Sequence, residues 1–193
     1  VFLELGGKSA NVILDDADAG AFGAGILTCT HGGQGCAITT RMLVPRRRYD
    51  EALGILEAAF RGAKYGDPND PGVLEGPQVS KRQQQRVLDY IEKGKREGAR
   101  LVVGGGRPAH LPKGFYVEPT LFADVDPKAT IAQEEIFGPV LCVIPYDDDD
   151  DAVRIANDSI YGLTGAVWSG SDQRALACAK RLRTGSVTIN GFA

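Results

Sequence analysis

Short runs of apolar and β-branched residues recur along the chain and alternate with longer segments of helical periodicity. The runs predict strands, which occupy residues 10–14, 38–44, 100–103, 140–145, 164–168 and 185–189. Residues 1–5 also alternate in the manner of a strand, with Phe2 and Glu4 on one face. The pattern therefore indicates many short strands separated by helical or irregular connections.

Three segments between the strands carry apolar residues at helical spacing. These stripes are Leu53, Leu56 and Phe60; Val87, Leu88 and Ile91; and Leu176, Ala179 and Leu182. Ser80 and Gln83 form a capping-box pattern before the second stripe, and Gly185 ends the third. The carboxylates at 147–151 indicate another helix N-terminus, where the helix dipole favours negative charge. Because strands and helices alternate, we predict an α/β fold with a mainly parallel sheet flanked by helices.

The composition is that of one ordinary globular domain, with 193 residues, 43% of them hydrophobic and 24% charged. It excludes collagen, coiled coils and wholly disordered chains. The net charge of −3 provides no basic field, so we expect neither nucleic acid nor an anionic membrane as a partner. The apolar runs stop well short of the roughly 18 residues that a membrane span needs, and we expect a soluble protein.

The ends of the sequence are unusual for a complete chain. Met42 is the single methionine, and the chain begins at Val1 without a translation start. Both ends lie beside apolar, strand-like segments with no polar tail. We therefore expect the sequence to be a piece of a longer protein.

The four cysteines are widely spaced and lack the C-x-x-C pairs typical of zinc or redox sites. We expect reduced thiols in a cytoplasmic protein, with Cys142 and Cys178 as small buried hydrophobic residues. His31 and His110 are the only histidines, and we predict no metal site. The 25 glycines form neither a G-x-G-x-x-G motif nor a P-loop, so the sequence carries no dinucleotide-binding fingerprint.

Two residues, Cys36 and Glu4, have surroundings that favour a catalytic role. Cys36 follows Gly33 and Gly35 at the entrance to a predicted strand, where backbone amides can lower a thiol pKa. It is either a reactive nucleophile or a small residue in a tight turn. Glu4 stands in an apolar segment before a glycine pair. It is either an exposed charge or a partly buried carboxylate of raised pKa, and the second suits a general base.

Five segments carry the runs E-L-G-G-K-S at 4–9, G-Q-G-C at 33–36, E-E-I-F-G-P-V at 134–140, N-D-S-I-Y-G-L at 157–163 and G-S-V-T-I-N at 185–190. In this order and at this spacing they resemble the signature segments of the NAD(P)-dependent aldehyde dehydrogenase superfamily, in its catalytic domain. Any one run alone would be a weak signal. Together they cover essentially the whole chain.

The resemblance implies that Cys36 attacks an aldehyde carbonyl to give a thiohemiacetal, which loses hydride to the cofactor and becomes a thioester. It implies that Glu4 activates the water that hydrolyses this thioester. Members that pass the acyl group to coenzyme A generally lack this glutamate, so its presence favours release of a carboxylic acid. The expected cofactor is NAD or NADP, and the residues expected to border it are Glu135, Phe137, Leu5, Gly6, Gln83 and Arg86.

The resemblance also has consequences for the domain organisation. Residues 1–193 correspond to the catalytic domain, so we expect an N-terminal dinucleotide-binding domain before them and a C-terminal oligomerisation strand after them. The complete protein is expected to be a homodimer or homotetramer, and the isolated domain to be inactive. His31 and Ala10 depart from the usual asparagine and proline of the family.

A second interpretation is a cysteine hydrolase or acyltransferase in which His31 serves Cys36 as base. The two residues lie five apart across a glycine turn, but no third orienting group is evident. A third is a non-catalytic fragment that serves assembly.

Overall fold

A computed structural model describes residues 1–191, so the last two residues of the predicted domain lie outside the described residues. Within residues 1–191, seven strands form one sheet in the order β3-β4-β5-β2-β1-β6-β7. The strands are β1 (Ser9–Ile13), β2 (Thr39–Pro45), β3 (Arg100–Val103), β4 (Thr120–Ala123), β5 (Val140–Tyr146), β6 (Thr164–Trp168) and β7 (Ser186–Ile189). All neighbours pair in parallel except β3 and β4, which are antiparallel. The predicted α/β fold with a mainly parallel sheet is confirmed.

Six α-helices flank the sheet in the described part of the chain. They are α1 (Gly20–Gly23), α2 (Tyr49–Gly62), α3 (Lys81–Arg96), α4 (Thr130–Gln133), α5 (Asp149–Asn157) and α6 (Asp172–Ala179). The N-caps are present, because the Gln83 amide donates to the Ser80 hydroxyl and the Asp151 amide to the Asp148 carboxylate. The predicted capping box is only half formed, since the Gln83 side chain donates to the carbonyls of Ile136 and Phe137. No helix within residues 1–191 is long and apolar enough to cross a membrane.

Three details differ from the sequence prediction. Residues 1–5 are not a strand: they lie exposed on the surface, and Phe2 is fully accessible, because no neighbouring strand is there to pair with them. Strand β4 was not predicted, since it follows a loop with three prolines and its only β-branched residue is Thr120. Leu176 of α6 is exposed, and the helix instead buries Ala175, Cys178 and Ala179.

The sheet is covered on both faces, which explains why its inner strands are nearly continuous apolar runs. On one face, α3, α5 and α6 bury residues such as Val12, Ile91 and Cys142. On the other, α1 and α2 bury a second cluster that includes Ile13 and Leu56. Cys142 and Cys178 are buried as predicted, and all four cysteines are free thiols.

The strand order determines where the motif segments meet. Strands β5, β2 and β1 are consecutive parallel neighbours, so their amino ends lie at one edge of the sheet. The segments at 134–139, 33–38 and 4–8 lead directly into these three strands. Residues more than a hundred positions apart in sequence are thereby brought to one place.

Candidate active site

The loop before Cys36 is an unusual turn. A 3₁₀-helical segment, Ala24–Gly33, ends in three successive left-handed residues, His31 (φ 54°), Gly32 (φ 63°) and Gly33 (φ 69°). Glycine adopts this conformation freely, and histidine tolerates it better than most other residues. A Cβ on Gly33 would overlap the Gly138 carbonyl. The turn leaves Cys36 exposed at the amino end of β2.

Two glutamines hold this loop in place. The buried Gln78 donates from Nε2 to the Gly32 carbonyl at 2.9 Å. Gln34 donates to the His31 carbonyl at 3.0 Å and accepts the Val79 amide at 2.9 Å. Sequence reasoning missed both residues as part of the site. The one available signal was the polar character of Gln78 between the apolar residues Pro77 and Val79.

The segment 4–7 packs against the backbone of the cysteine. A Cβ on Gly7 would overlap the Cys36 carbonyl oxygen, so only glycine allows this approach. Glu4 and Leu5 are exposed, and Gly6 is half-buried. Of the two alternatives for Glu4, the described residues therefore place it as an exposed carboxylate.

The loop 134–138 completes the cluster. The Glu135 carboxylate accepts the Gly7 amide at 2.8 Å through Oε1, and Phe137 has a left-handed backbone (φ 63°). A Cβ on Gly138 would overlap Val87, so the loop packs tightly between α3 and the cysteine turn.

Helix α3 brings the two remaining predicted residues to this loop. Gln83 donates from Nε2 to the Ile136 carbonyl at 3.2 Å and to the Phe137 carbonyl at 2.7 Å. Arg86 donates to the Glu135 carbonyl at 2.7 Å, and its guanidinium lies 4.9 Å from the Tyr90 ring centroid. The loop backbone is therefore fixed from the side of α3. All eight predicted site residues lie on the three segments at this edge or on the adjoining helix.

Two basic side chains, Arg41 and Lys8, are buried at the amino ends of β2 and β1, next to the site. Arg41 donates to the carbonyls of Lys8, Ile155 and Ala156 at 2.8–3.0 Å, and burial lowers the pKa of its guanidinium to about 10. Burial also lowers the pKa of Lys8, whose Nζ makes no hydrogen bond within residues 1–191. The Arg41 side chain thereby connects the amino end of β1 to the end of α5.

A cavity of about 260 Å³ lies between the 3₁₀-helical segment and the sheet, and it is lined by Ala37, the residue after Cys36. Its walls are mainly apolar and include Leu27, Thr30, His31, Ala37 and Ile38. An apolar cavity lined by the residue that follows an exposed thiol can receive the carbon chain of a small substrate. Within residues 1–191, no group of three or more histidine, cysteine or carboxylate side chains is placed to hold a metal.

The His31 interpretation finds no geometric support in the described residues. His31 is exposed on the turn, and no hydrogen bond joins its imidazole to the Cys36 thiol. The Cys36 backbone is instead contacted by Gly7, whose amide donates to the Glu135 carboxylate.

The comparison with known sequences decides the family. All residues, 1–193, match the sequence profile of the aldehyde dehydrogenase family. The chain belongs to the aldehyde dehydrogenase family. The resemblance drawn from the five motif segments is thereby confirmed.

Named aldehyde dehydrogenase relatives are close in sequence. The chain is 49% identical over 196 residues to a 3-succinoylsemialdehyde-pyridine dehydrogenase from a Pseudomonas species, and the match covers 100% of this chain and 41% of that protein. It is 47% identical over 194 residues to geranial dehydrogenase from Castellaniella defragrans, with coverage of 100% and 40%. The chain therefore spans about two fifths of the length of these relatives.

Solved aldehyde dehydrogenase structures share the fold. The Mycobacterium tuberculosis aldehyde dehydrogenase complexed with NAD⁺ has 50% identity and a TM-score of 0.95, covering 98% of this chain and 40% of that one. A mutant of aldehyde dehydrogenase C from Pseudomonas syringae, complexed with NAD⁺ and octanal, has 43% identity and the same TM-score and coverage.

Proposed function

We propose that the protein is an NAD(P)-dependent aldehyde dehydrogenase that oxidises an aldehyde to a carboxylic acid, with residues 1–193 as its catalytic domain. The observation that carries this proposal is the contact of three segments at one sheet edge: the turn with exposed Cys36, the Glu4–Gly7 segment and the Glu135 loop. Family membership and the dehydrogenase names of the relatives support the same reaction.

Cys36 is the proposed nucleophile. Its sulfur adds to the aldehyde carbonyl carbon, and the Cys36 backbone amide stabilises the resulting oxyanion. Collapse of this thiohemiacetal releases a hydride, for which bound NAD⁺ or NADP⁺ would be the acceptor, and leaves a thioester on the sulfur. An aldehyde carbon has no easily transferred hydride until this addition makes it tetrahedral. The apolar cavity beside Ala37 holds the carbon chain of the substrate.

Glu4 is the proposed general base of the second step. Its carboxylate takes a proton from water as the oxygen adds to the thioester carbon, after which the carbon–sulfur bond breaks and the acid leaves. The cysteine is thereby regenerated. An exposed carboxylate on the segment that packs against Cys36 can reach a water from the solvent side.

NAD or NADP supplies the hydride acceptor when bound, and the loop around Glu135 fits its nicotinamide end. Glu135 Oε1 is used by the Gly7 amide, while Oε2 makes no hydrogen bond within residues 1–191 and can accept one from a ribose hydroxyl. The residues proposed to border the cofactor are Glu135, Phe137, Leu5, Gly6, Gln83 and Arg86.

The complete protein is proposed to contain more than this domain. The share of the relatives that the chain covers supports additional polypeptide, which we propose to be a preceding dinucleotide-binding domain and a following oligomerisation strand. We propose a homodimer or homotetramer in which residues 1–193 alone do not turn over. The four free thiols are in keeping with the reducing environment of the cytoplasm.

The test uses the complete polypeptide with NAD⁺ or NADP⁺ and a series of aldehydes, measuring reduced cofactor and acid separately. Cys36→Ala should lower turnover by at least about 1000-fold, because no nucleophile remains. Glu4→Gln should keep a single burst of reduced cofactor and slow acid release by about 100-fold or more.

His31→Ala is the matched control on the same turn, and it should not abolish either step. Loss of ester hydrolysis in His31→Ala with full activity in Glu4→Gln would favour the hydrolase instead. Wild-type protein that reduces no cofactor with any aldehyde would contradict the proposal.

A further inference from the structure

Glu135 links two of the three segments of the site, the loop to which it belongs and the segment 4–7. Its backbone belongs to the loop 134–138, whereas Oε1 accepts the Gly7 amide of the segment that carries Glu4. This hydrogen bond tethers the irregular segment 1–7 to the rest of the domain. Residues 1–5 are exposed and lie in no strand of the described chain, so this hydrogen bond is the contact through which Glu135 can influence where Glu4 lies.

The packing around the tether leaves little freedom. A Cβ on Gly6 would lie 2.8 Å from Glu135 Oε2, and a Cβ on Gly7 would overlap the Cys36 carbonyl. Gly6 is therefore pressed against the Glu135 carboxylate, and Gly7 against the cysteine backbone. If the carboxylate is removed, the segment that carries Glu4 loses the hydrogen bond that joins it to the Glu135 loop.

The backbone of the Glu135 loop is held in place by hydrogen bonds from α3 that do not involve the tether. Arg86 donates to the Glu135 carbonyl, and Gln83 donates to the next two carbonyls along the loop. These bonds involve the backbone and not the carboxylate. Replacing the Glu135 side chain therefore removes the tether while it leaves the loop attached to α3.

We propose that Glu135 is a positioning residue for Glu4, through the Gly7 amide, in the hydrolysis of the thioester. The inference rests on the proposed function, because it takes Glu4 as the base of that step. It assigns to Glu135 a role that does not need the cofactor. A carboxylate accepting an amide hydrogen bond is a strong partner, so its loss has a measurable effect.

The experiment measures hydrolysis of an acylated Cys36 in the complete polypeptide without any cofactor, together with hydrogen exchange of the Gly7 amide. Glu135→Ala should speed Gly7 exchange and slow cofactor-free deacylation, each by about tenfold or more. Glu135→Gln retains an oxygen acceptor at the same position and should restore both. An unchanged exchange rate for the core amide of Val143 shows that each variant is folded.

Glu134→Ala is the matched control, because Glu134 is the adjacent carboxylate and binds Tyr90, not Gly7. It should leave both measurements unchanged. Deacylation within twofold of wild type in Glu135→Ala would overturn the inference, as would a Glu135→Gln variant as slow as Glu135→Ala. If Glu4→Gln itself fails to slow deacylation, the proposed role of Glu4 fails, and that result is distinct from the other two.

Discussion

At the scale of single residues, the most unusual group outside the site is the Glu75 carboxyl. Only 1% of the residue is exposed, and neither carboxyl oxygen makes a hydrogen bond within residues 1–191. Burial raises its pKa from about 4.5 to about 9, so it is neutral in the folded protein at pH 7. The pKa of the neighbouring Cys29 thiol is raised as well, by burial and by Glu75. The folded state therefore binds a proton that the unfolded chain releases.

Because the folded state binds this extra proton, the free energy of unfolding falls as pH rises. Below about pH 4.5 both states are protonated, and above about pH 9 both are ionised. Between these values the unfolded state binds fewer protons, so the free energy of unfolding decreases by up to about 1.4 kcal/mol per pH unit. We expect Glu75→Gln to unfold at higher urea concentration than wild type at pH 8, and to lose most of this dependence between pH 5 and pH 8.

The control is Glu57→Gln, which changes a half-buried carboxylate on α2 that pairs with Arg61. It should follow the wild-type pH dependence. Parallel curves for wild type and Glu75→Gln would show that Glu75 is ionised in the folded protein.

At the scale of elements, the site depends on how closely two loops and a helix approach each other. Gly33 of the cysteine turn meets Gly138 of the next loop, and Gly138 meets Val87 of α3. The contact of the two loops leaves no room for a side chain on Gly33. A shift of one loop must therefore displace the other.

Gly33→Ala should be far more damaging than an ordinary glycine substitution. The residue has a φ of 69°, and the new Cβ would meet the Gly138 backbone, which cannot rotate away. We expect a loss of about 2 kcal/mol or more in unfolding free energy, and slower alkylation of Cys36 or loss of turnover in the complete polypeptide.

Gly54→Ala supplies the opposite case for comparison. Gly54 is an exposed residue within α2, and a Cβ there meets nothing within 4 Å. It should stabilise the fold by about 0.5–1 kcal/mol, because alanine favours the helix. Equal effects of the two substitutions in denaturant unfolding would contradict the role assigned to the Gly33 contact.

At the scale of the whole molecule, exposed apolar side chains are concentrated in residues 1–5. Phe2 is fully exposed, Leu3 is 70% exposed and Leu5 is 53% exposed, although each would be buried in most proteins. A cluster of apolar side chains on one segment usually marks an interaction surface. We expect the proposed further domain of the complete polypeptide to bury these side chains.

We therefore expect residues 1–193 expressed alone to bind a hydrophobic dye and to self-associate in sedimentation experiments. Phe2→Ser with Leu3→Ser should reduce both, whereas Ile160→Ser, which removes one exposed apolar side chain elsewhere, should not. A monomeric fragment that binds no dye would contradict this expectation.

The sequence predicts the inner strands well because β1, β2, β5 and β6 are buried on both faces and must be apolar throughout. It fails for residues 1–5, where the same alternation occurs in an exposed segment, and for β4, whose only β-branched residue is Thr120. The backbone of His31 and the bonds of Gln34 and Gln78 leave no periodic signal. The grouping of Cys36, Glu4 and Glu135 was expected from the family resemblance; the strand order supplies its physical reason.

The strand order also affects the synthesis of the protein. Strand β1 is made first, but one of its two neighbours, β6, begins at Thr164, which is 164 − 9 = 155 residues after Ser9. At about 5–20 residues per second, a ribosome needs roughly 10–30 s to cover this distance. During that time the emerging β1 has an open edge that other nascent chains can pair with. The domain is therefore most vulnerable to misassociation before its translation is complete.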